Sequence, residues 1–341
     1  MSHELELRTD GTAKFAYADR EIPWHRLGQP MHGLQTADAM LEAAEANYDV
    51  VLARVAAVDE DGHFILNPDG TPVIVNDSRA TLRANPDGTF DGLATVGTRY
   101  VIAQNKECLD YALDIVGASR GDAVVDTCGV LHGGRQFFAC IDMGALILDP
   151  TGVNDQLERY LLVHTGHDGK IAITYVNTAI RSVCKNTINL GTKLARSVFT
   201  AKHTRNAGSA IEQAQEVLGI STQWAETFQE SATRLLATPV RAGSVQFDQL
   251  LDAVFPPKAQ ETKKQKANRT DTGRVIRRLF TSDKNAGGYG YNAWSAYNSV
   301  VEYLDHTRDA ESKDRAIASM SHNSWVSSKK ARAEDYLLSL S

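Results

Sequence analysis

From residue 50 to residue 176 the chain alternates short β-branched runs with tight turns, and this alternation restricts the fold more than any other feature. DEDGHF (Asp59–Phe64), NPDGTP (Asn67–Pro72), NPDGTF (Asn85–Phe90), LHGGRQ (Leu131–Gln136) and TGHDG (Thr165–Gly169) all carry glycine turn signals. They separate the strand-like runs Val50–Val58, Thr71–Asn76, Ser78–Arg83 and Leu93–Gln104. Later they separate Ala123–Leu131 from Gln136–Met143, and Leu157–His164 from Lys170–Val176. Turns this short cannot make a parallel crossover, so the pairs are antiparallel. Two helices punctuate them: Thr36–Ala46, capped by Thr36, and Lys106–Val116 with Leu109, Ala112, Leu113 and Val116 inward. The expected class is α+β, an antiparallel β-meander and hairpins packed on helices on one side.

After Gly208 the pattern changes to helix alone. Ser209–Leu236 is helical with a break near Gly219–Ser221, and Ser244–Phe255 is capped by Ser244 and stopped by Pro256–Pro257. Gly287–Tyr291 (GGYGY) reads as a hinge or loop. Asn292–His306 is an aromatic-rich helix with Trp294, Tyr297, Val301 and Leu304 on one stripe. The expected organisation is therefore an N-terminal arm over 1–35, an α+β core over 36–206 and a helical C-terminal region over 207–341. The arm holds IPWHRLGQP (Ile22–Pro30), where Trp24 and Leu27 anchor it to the body. No internal repeat is apparent.

At 341 residues, with 43% hydrophobic and 23% charged content, a sizeable core is available. No apolar run approaches the roughly 18 to 20 residues that span a bilayer. The start, MSHELELRTDGTAKF, has no apolar signal region. Cys108, Cys128, Cys140 and Cys184 are scattered, as buried reduced thiols are, and a cytoplasmic setting is expected.

The formal net charge is -6, yet Thr178–Arg205 contains six basic residues and no acidic one. Through Phe199 this stretch reads as an amphipathic helix. Ile180, Val183, Cys184, Ile188, Gly191, Leu194, Ala195 and Val198 form one face, with Arg181, Lys185, Lys193 and Arg196 on the flank and Lys202 beyond. Such a helix can dock on a core and offer cations to a polyanion. The plainer alternative is a solvated basic face near acidic neighbours. A second basic run, Lys258–Arg278, includes Lys263, Lys264, Arg274, Arg277 and Arg278, followed by the glycine-flanked Tyr289 and Tyr291. A basic groove with exposed aromatic rings holds single-stranded nucleic acid without reading its sequence. A solvated linker and a packed loop are the plainer readings of those two segments. Arg135 on a hairpin tip, and Arg79, Arg83 and Arg99 on strands, extend the surface or are ordinary exposed charges.

The sequence carries no recognisable catalytic motif. There is no phosphate-binding glycine loop, since GHDGK (Gly166–Lys170) has the wrong spacing, and there is no nucleophile elbow or paired-carboxylate cluster. His164 and His167 make an isolated HxxH. No catalytic residue, metal or cofactor is expected. Two rivals stay open: an interaction module that binds a host factor, and a metal-dependent nucleic-acid enzyme using His132, His164 and His167.

The motifs PWHRLG, RSVCKNTI and YNAWSAYNSVVEYLDH resemble a family of phage- and plasmid-borne proteins known as a domain of unknown function, over Trp24 to His306. The resemblance implies a mobile-element origin. The element order also bears a remote resemblance to Rad-fifty-two-type single-strand annealing proteins. That resemblance implies a ring-shaped homo-oligomer with single-stranded DNA in a basic groove, where Arg181, Lys185, Lys193, Arg196 and Arg135 would lie. It implies ATP-independent annealing, with a host or phage single-strand-binding protein as a further partner. A membrane is not among the expected partners.

Overall fold

The computed structural model describes residues 6–10, 12–18, 28–33, 36–120, 124–148, 155–181, 186–188, 198–204, 221–307 and 325–341. Trp24, His25, Leu27, Cys184, Lys185, Lys193, Arg196 and the expected helical turns over 209–220 lie outside these residues.

The main sheet has eight strands. They are β1 (Phe15–Ala18), β2 (Gln29–Met31), β6 (Val124–Leu131), β7 (Gln136–Leu148), β8 (Asp155–Gly166), β9 (Ile173–Arg181), β10 (Asn186–Ile188) and β11 (Val198–Ala201), in the order β10-β9-β8-β7-β6-β1-β2. β11 pairs with the start of β9, opposite Ile173–Val176, and β10 pairs with its end, opposite Ala179–Arg181. All neighbours are antiparallel except β1 and β2. A smaller sheet holds β3 (Val50–Ala56), β4 (Ile74–Ala84) and β5 (Phe90–Gly97), again antiparallel. The α+β class with antiparallel hairpins is thus what the chain adopts.

The basic stretch is the main correction. Thr178–Arg181 finishes β9, Asn186–Ile188 is a strand, and Val198–Ala201 is another. The apolar spacing fits a helical face, but Thr178, Ile180, Thr187, Ile188, Val198 and Thr200 are β-branched. Thr178 and Ile180 continue β9, and its outer edge offers the other four a backbone partner. Sheet pairing overrides the helical period.

Alternation along the strands sorts the core into faces. Phe137, Ala139 and Ile141 of β7, with Leu161 and Val163 of β8 and Tyr175 of β9, are buried under α1 (Ala37–Ala43) and α2 (Asn105–Arg120). Phe138, Cys140, Tyr160, Leu162 and Val176 point to the other face, with Phe15 and Tyr17. Farther along the first face, Leu157 and Ala179 join a second core made by the C-terminal helices. Both helical layers therefore rest on the same side of the sheet.

Those helices are α3 (Ser221–Ala237), α4 (Val245–Val254), α5 (Lys263–Phe280), the single turn α6 (Ala286–Tyr289), α7 (Ala293–Glu302) and α8 (Trp325–Leu338). Thr36, Ser244, Thr262 and Asn292 cap α1, α4, α5 and α7. Every residue of α7 is buried, and Trp294, Tyr297, Val301 and Leu304 are fully so. The chain then passes through a π turn, Tyr303–Thr307.

Between β3 and β4 an arm projects. Ala57 donates to Val73 (2.9 Å), Ile65 to Ala57 (3.0 Å) and Val73 to Ile65 (2.8 Å), closing a triangle of backbone bonds at eight-residue spacing. The intervening turns repeat a pattern: the Gly62 N–H bonds Asp59 and the Gly70 N–H bonds Asn67, with positive φ at both glycines. Residues 57–64 and 65–72 are therefore a short structural repeat that the sequence pattern did not reveal.

Candidate nucleic-acid interface

One end of the main sheet gathers three turns into an open cleft of about 1180 Å³. Arg99 and Tyr100 follow β5, Lys170 and Ile171 lie between β8 and β9, and Lys202 to Thr204 follow β11. Local bonds fix each piece. The Tyr100 N–H bonds the Gly97 carbonyl at 3.0 Å, which turns the chain after β5. The Val101 N–H bonds the His203 carbonyl at 3.1 Å, and His203 Nδ1 lies 3.2 Å from the Val101 carbonyl. The Tyr100 hydroxyl donates to the Gly166 carbonyl at 2.8 Å. Asp168 Oδ1 accepts the Lys170 N–H, and Gly169 takes a φ of 72° against Val96.

The cleft is electropositive. Arg99, Lys170 and Lys202 are exposed, and among the described residues none forms an ion pair. Asp77 is the single carboxylate in the lining. Beneath the cations the rings of Tyr100 and His203 stack at 4.8 Å and 20°. Burial holds the His203 imidazole below its ordinary range, which favours the uncharged ring. Arg135 is exposed on the β6–β7 turn, and its carbonyl accepts the His167 N–H at 2.7 Å. The hairpin tip is thereby tied to the Lys170 turn, at the same end of the sheet.

The remaining expected residues divide. Arg181 ends β9 opposite Leu157, away from the cleft end, where β9 begins. Arg83 is buried, with its guanidinium 4.3 Å from the Tyr48 ring centre and 3.2 Å from Glu6, so it is structural. Arg79 donates to the Ser78 carbonyl. Lys263, Lys264 and Arg278 are exposed on α5, without ion pairs among the described residues. Arg274 meets Asp271 at 2.5 Å, and Arg277 meets Asp248 while bonding the Ala242 carbonyl. None of these lines the cleft. Tyr289 is half-buried, and Tyr291 is 54% exposed with its ring edge-on to Phe280.

Of the histidines named for metal chemistry, His132 is exposed on the β6–β7 turn, while His164 and His167 are packed. His164 Nε2 lies 3.3 Å from Gln136 Oε1, and His167 Nε2 lies 2.9 Å from Asn105 Oδ1. Burial lowers each imidazole to about 4. Cys108 and Cys140 are buried with thiols pushed up to about 12, far from a reactive thiolate. Among the described residues, Asp59, Asp61 and His63 are the one cluster with metal-ligating atoms within 4.8 Å of one another. All three are exposed on the arm, and Asp59 already accepts the N–H groups of its own turn.

Sequence reasoning named Lys202 as a candidate and Arg99 as a strand charge, and met Lys170 only as the end of GHDGK and the start of a strand-like run. Tyr100 and His203 were missed, and no local signal could pair two residues a hundred positions apart.

Fold and cleft define an α+β protein with a basic surface groove. A family model described as a domain of unknown function, DUF932, matches residues 92–326, more than half of the chain, and the chain belongs to this family. No curated protein and no solved structure matches it significantly.

Proposed function

We propose that this protein binds single-stranded DNA through the sheet-end cleft and, as an ATP-independent oligomeric template, anneals complementary strands for a phage or plasmid. The observation that carries the reading is the set of three unpaired cations in one open cleft. Exposed cations without ion pairs also occur on α5, but in a chain of net charge -6 three that converge on one cleft with a single carboxylate need a counter-charge. Phosphates on the Arg99, Lys170 and Lys202 side chains would supply it, with the Tyr100 edge available to a base. The likeness to Rad-fifty-two-type annealing proteins rests on the helices, meander and hairpins alone, because strands stand where the basic helix was expected. No bond is made or broken in annealing, so the reading asks for no catalytic group.

The test is fluorescence anisotropy with a labelled single-stranded oligonucleotide over a salt series. Each phosphate contact on a single strand contributes about 0.7 to the log–log salt slope. Lys170→Glu/Lys202→Glu should therefore flatten the slope by about 1.4 or more and weaken binding at low salt. Binding should be accompanied by faster pairing of complementary oligonucleotides. Salt-insensitive binding, or none, would remove this reading in favour of a module that docks on a host protein.

A further inference from the structure

The exposed apolar residues are not scattered. Among the described residues twelve large hydrophobic side chains are exposed, and eight of them lie between Val51 and Phe90, on the small sheet and its arm. Val51, Leu52, Phe64, Leu66, Val75 and Phe90 are 38–59% exposed. Apolar surface concentrated this way marks an interface. Its partner is a protein surface. The turns around it carry Asp59, Asp61, Asp69 and Asp87, all exposed, which would repel phosphates and anionic lipid alike.

The backbone gives a second, independent observation. β3 and β5 are the two outer strands of the three-stranded sheet. The Gln104 amide occupies both backbone groups of Val50 at the start of β3. From Val51 to Ala56 on β3, and from Phe90 to Val96 on β5, the outward edge bonds no other backbone among the described residues; at the end of β5 the Gly97 carbonyl is taken by the Tyr100 N–H. Open edges of this kind are templates for strand addition. They match in length, at seven and eight residues. Each carries one charge, Arg54 on β3 and Asp91 on β5, and the signs are opposite.

We infer that β3 of one copy pairs with β5 of the next, burying the apolar residues of the sheet and arm in the joint. Both strands are antiparallel to β4, so they run in the same direction. Stacking one copy on the next therefore brings β5 beside β3 in parallel, through two different surfaces. A head-to-tail contact of that type closes into a ring or extends as a filament. The inference deepens the oligomer in the proposed function and rests on that part of it alone, not on the cleft.

Light scattering on the full chain tests it, with Leu52→Lys to spoil β3 and Phe90→Lys to spoil β5. Wild type should have a mass several times the 37.2 kDa of one chain. Each variant should run as a monomer. An equimolar mixture of the two should form a dimer, because the pair holds one intact β3 and one intact β5. Val51→Lys with Thr95→Lys repeats the design at other positions, and circular dichroism confirms that each variant is folded. A monomeric wild type at micromolar concentration, folded variants that keep the wild-type mass, or mixtures that stay monomeric would each overturn the inference. Strand affinity measured on the same samples reads the cleft separately. Binding without assembly removes the joint and keeps the cleft, and assembly without binding does the reverse.

Discussion

The Trp294 indole donates its N–H to Asp155 Oδ2 at 2.8 Å, and both residues are fully buried. Trp294 is in α7 and Asp155 opens β8, so one bond ties the helical half to the sheet across 139 residues of chain. Trp294→Phe keeps most of the apolar volume and removes the donor. Leaving a buried acceptor short of a partner costs about 1–3 kcal/mol. Thermal unfolding should fall by several degrees. Strand affinity of the folded protein should not change, because the cleft is at the other end of β8. A variant as stable as wild type would mean that the bond fixes orientation without stabilising.

The buried histidines make stability depend on pH. His164 is held near 4 chiefly by burial, with nearby His132 adding to the shift and Asp168 opposing it. His167 is held near 4 by burial, with His203 adding and Asp168 again opposing. Unfolded, each would titrate near 6.5. Between those values the unfolded chain binds protons that the native chain does not, so stability rises with pH. It is complete above about 6.5 and is lost as pH falls towards 4, by on the order of 3 kcal/mol for each histidine. Denaturant melts at several pH values should show this loss. His164→Gln, which does not titrate, should show a shallower one. Superimposable profiles would count against the burial argument.

The basic helix α5 separates paired from unpaired charge. Arg277 meets Asp248, bonds the Ala242 carbonyl and lies 5.6 Å from the Phe247 ring centre. Arg277→Ala should destabilise by about 1–2 kcal/mol and leave the salt slope of strand binding unchanged. Lys263→Glu/Lys264→Glu should leave stability nearly unchanged. Exposed substitutions of this kind shift stability by about 0.5 kcal/mol or less. If the strand reaches α5, they also flatten the salt slope. Anisotropy and melting on both variants decide whether α5 extends the groove.

Legibility in the sequence followed how local each signal was. The turns at Asp59–Gly62, Asn67–Gly70 and Asn85–Gly88 were readable because aspartate–glycine pairs and a positive φ are a local matter. The caps at Thr36 and Ser244, and the buried stripe of α7, were readable for the same reason. The stretch after Tyr175 misled because Ile180, Ile188 and Val198 satisfy a helical period and a strand edge alike. Only the free side of β9 decides between them. The cleft was half legible. Charge marked Lys202, but the stacking of Tyr100 on His203 is produced by pairing Val101 with His203, which no window along the chain contains.

Lys330 and Asp305 meet at 2.8 Å with almost no exposure. Burial lowers the Lys330 ammonium below its ordinary range, and the Asp305 carboxylate opposes that shift. Lys330→Met would leave the carboxylate buried without its cation, at a cost of about 3–5 kcal/mol. Adding Asp305→Leu should restore most of that stability, since an apolar pair of similar volume replaces a buried ion pair at little cost. A double variant no better than the single one would show that the pair is needed to hold the π turn at Tyr303–Thr307 in place.

The glycines of GGYGY give a test whose sign separates two pictures. Read as a hinge, Gly288 samples many conformations, and Gly288→Ala would stabilise by about 0.4–1 kcal/mol by restricting the unfolded chain. In the folded protein Gly288 sits in the single turn α6, with its N–H bonded to the Asn285 carbonyl. A Cβ there would lie 2.3 Å from the Asp283 carbonyl oxygen. That neighbour is backbone and cannot swing aside as a flexible side chain would. Gly288→Ala should therefore destabilise, by about 1–3 kcal/mol as in other overpacked sites. Asn285 bonds both the Leu279 carbonyl and Glu302, so displacement of α6 would be felt at the end of α5 and in α7. Faster hydrogen exchange in those two helices, with the sheet unaffected, is the expected accompaniment. A stabilised variant would restore the hinge.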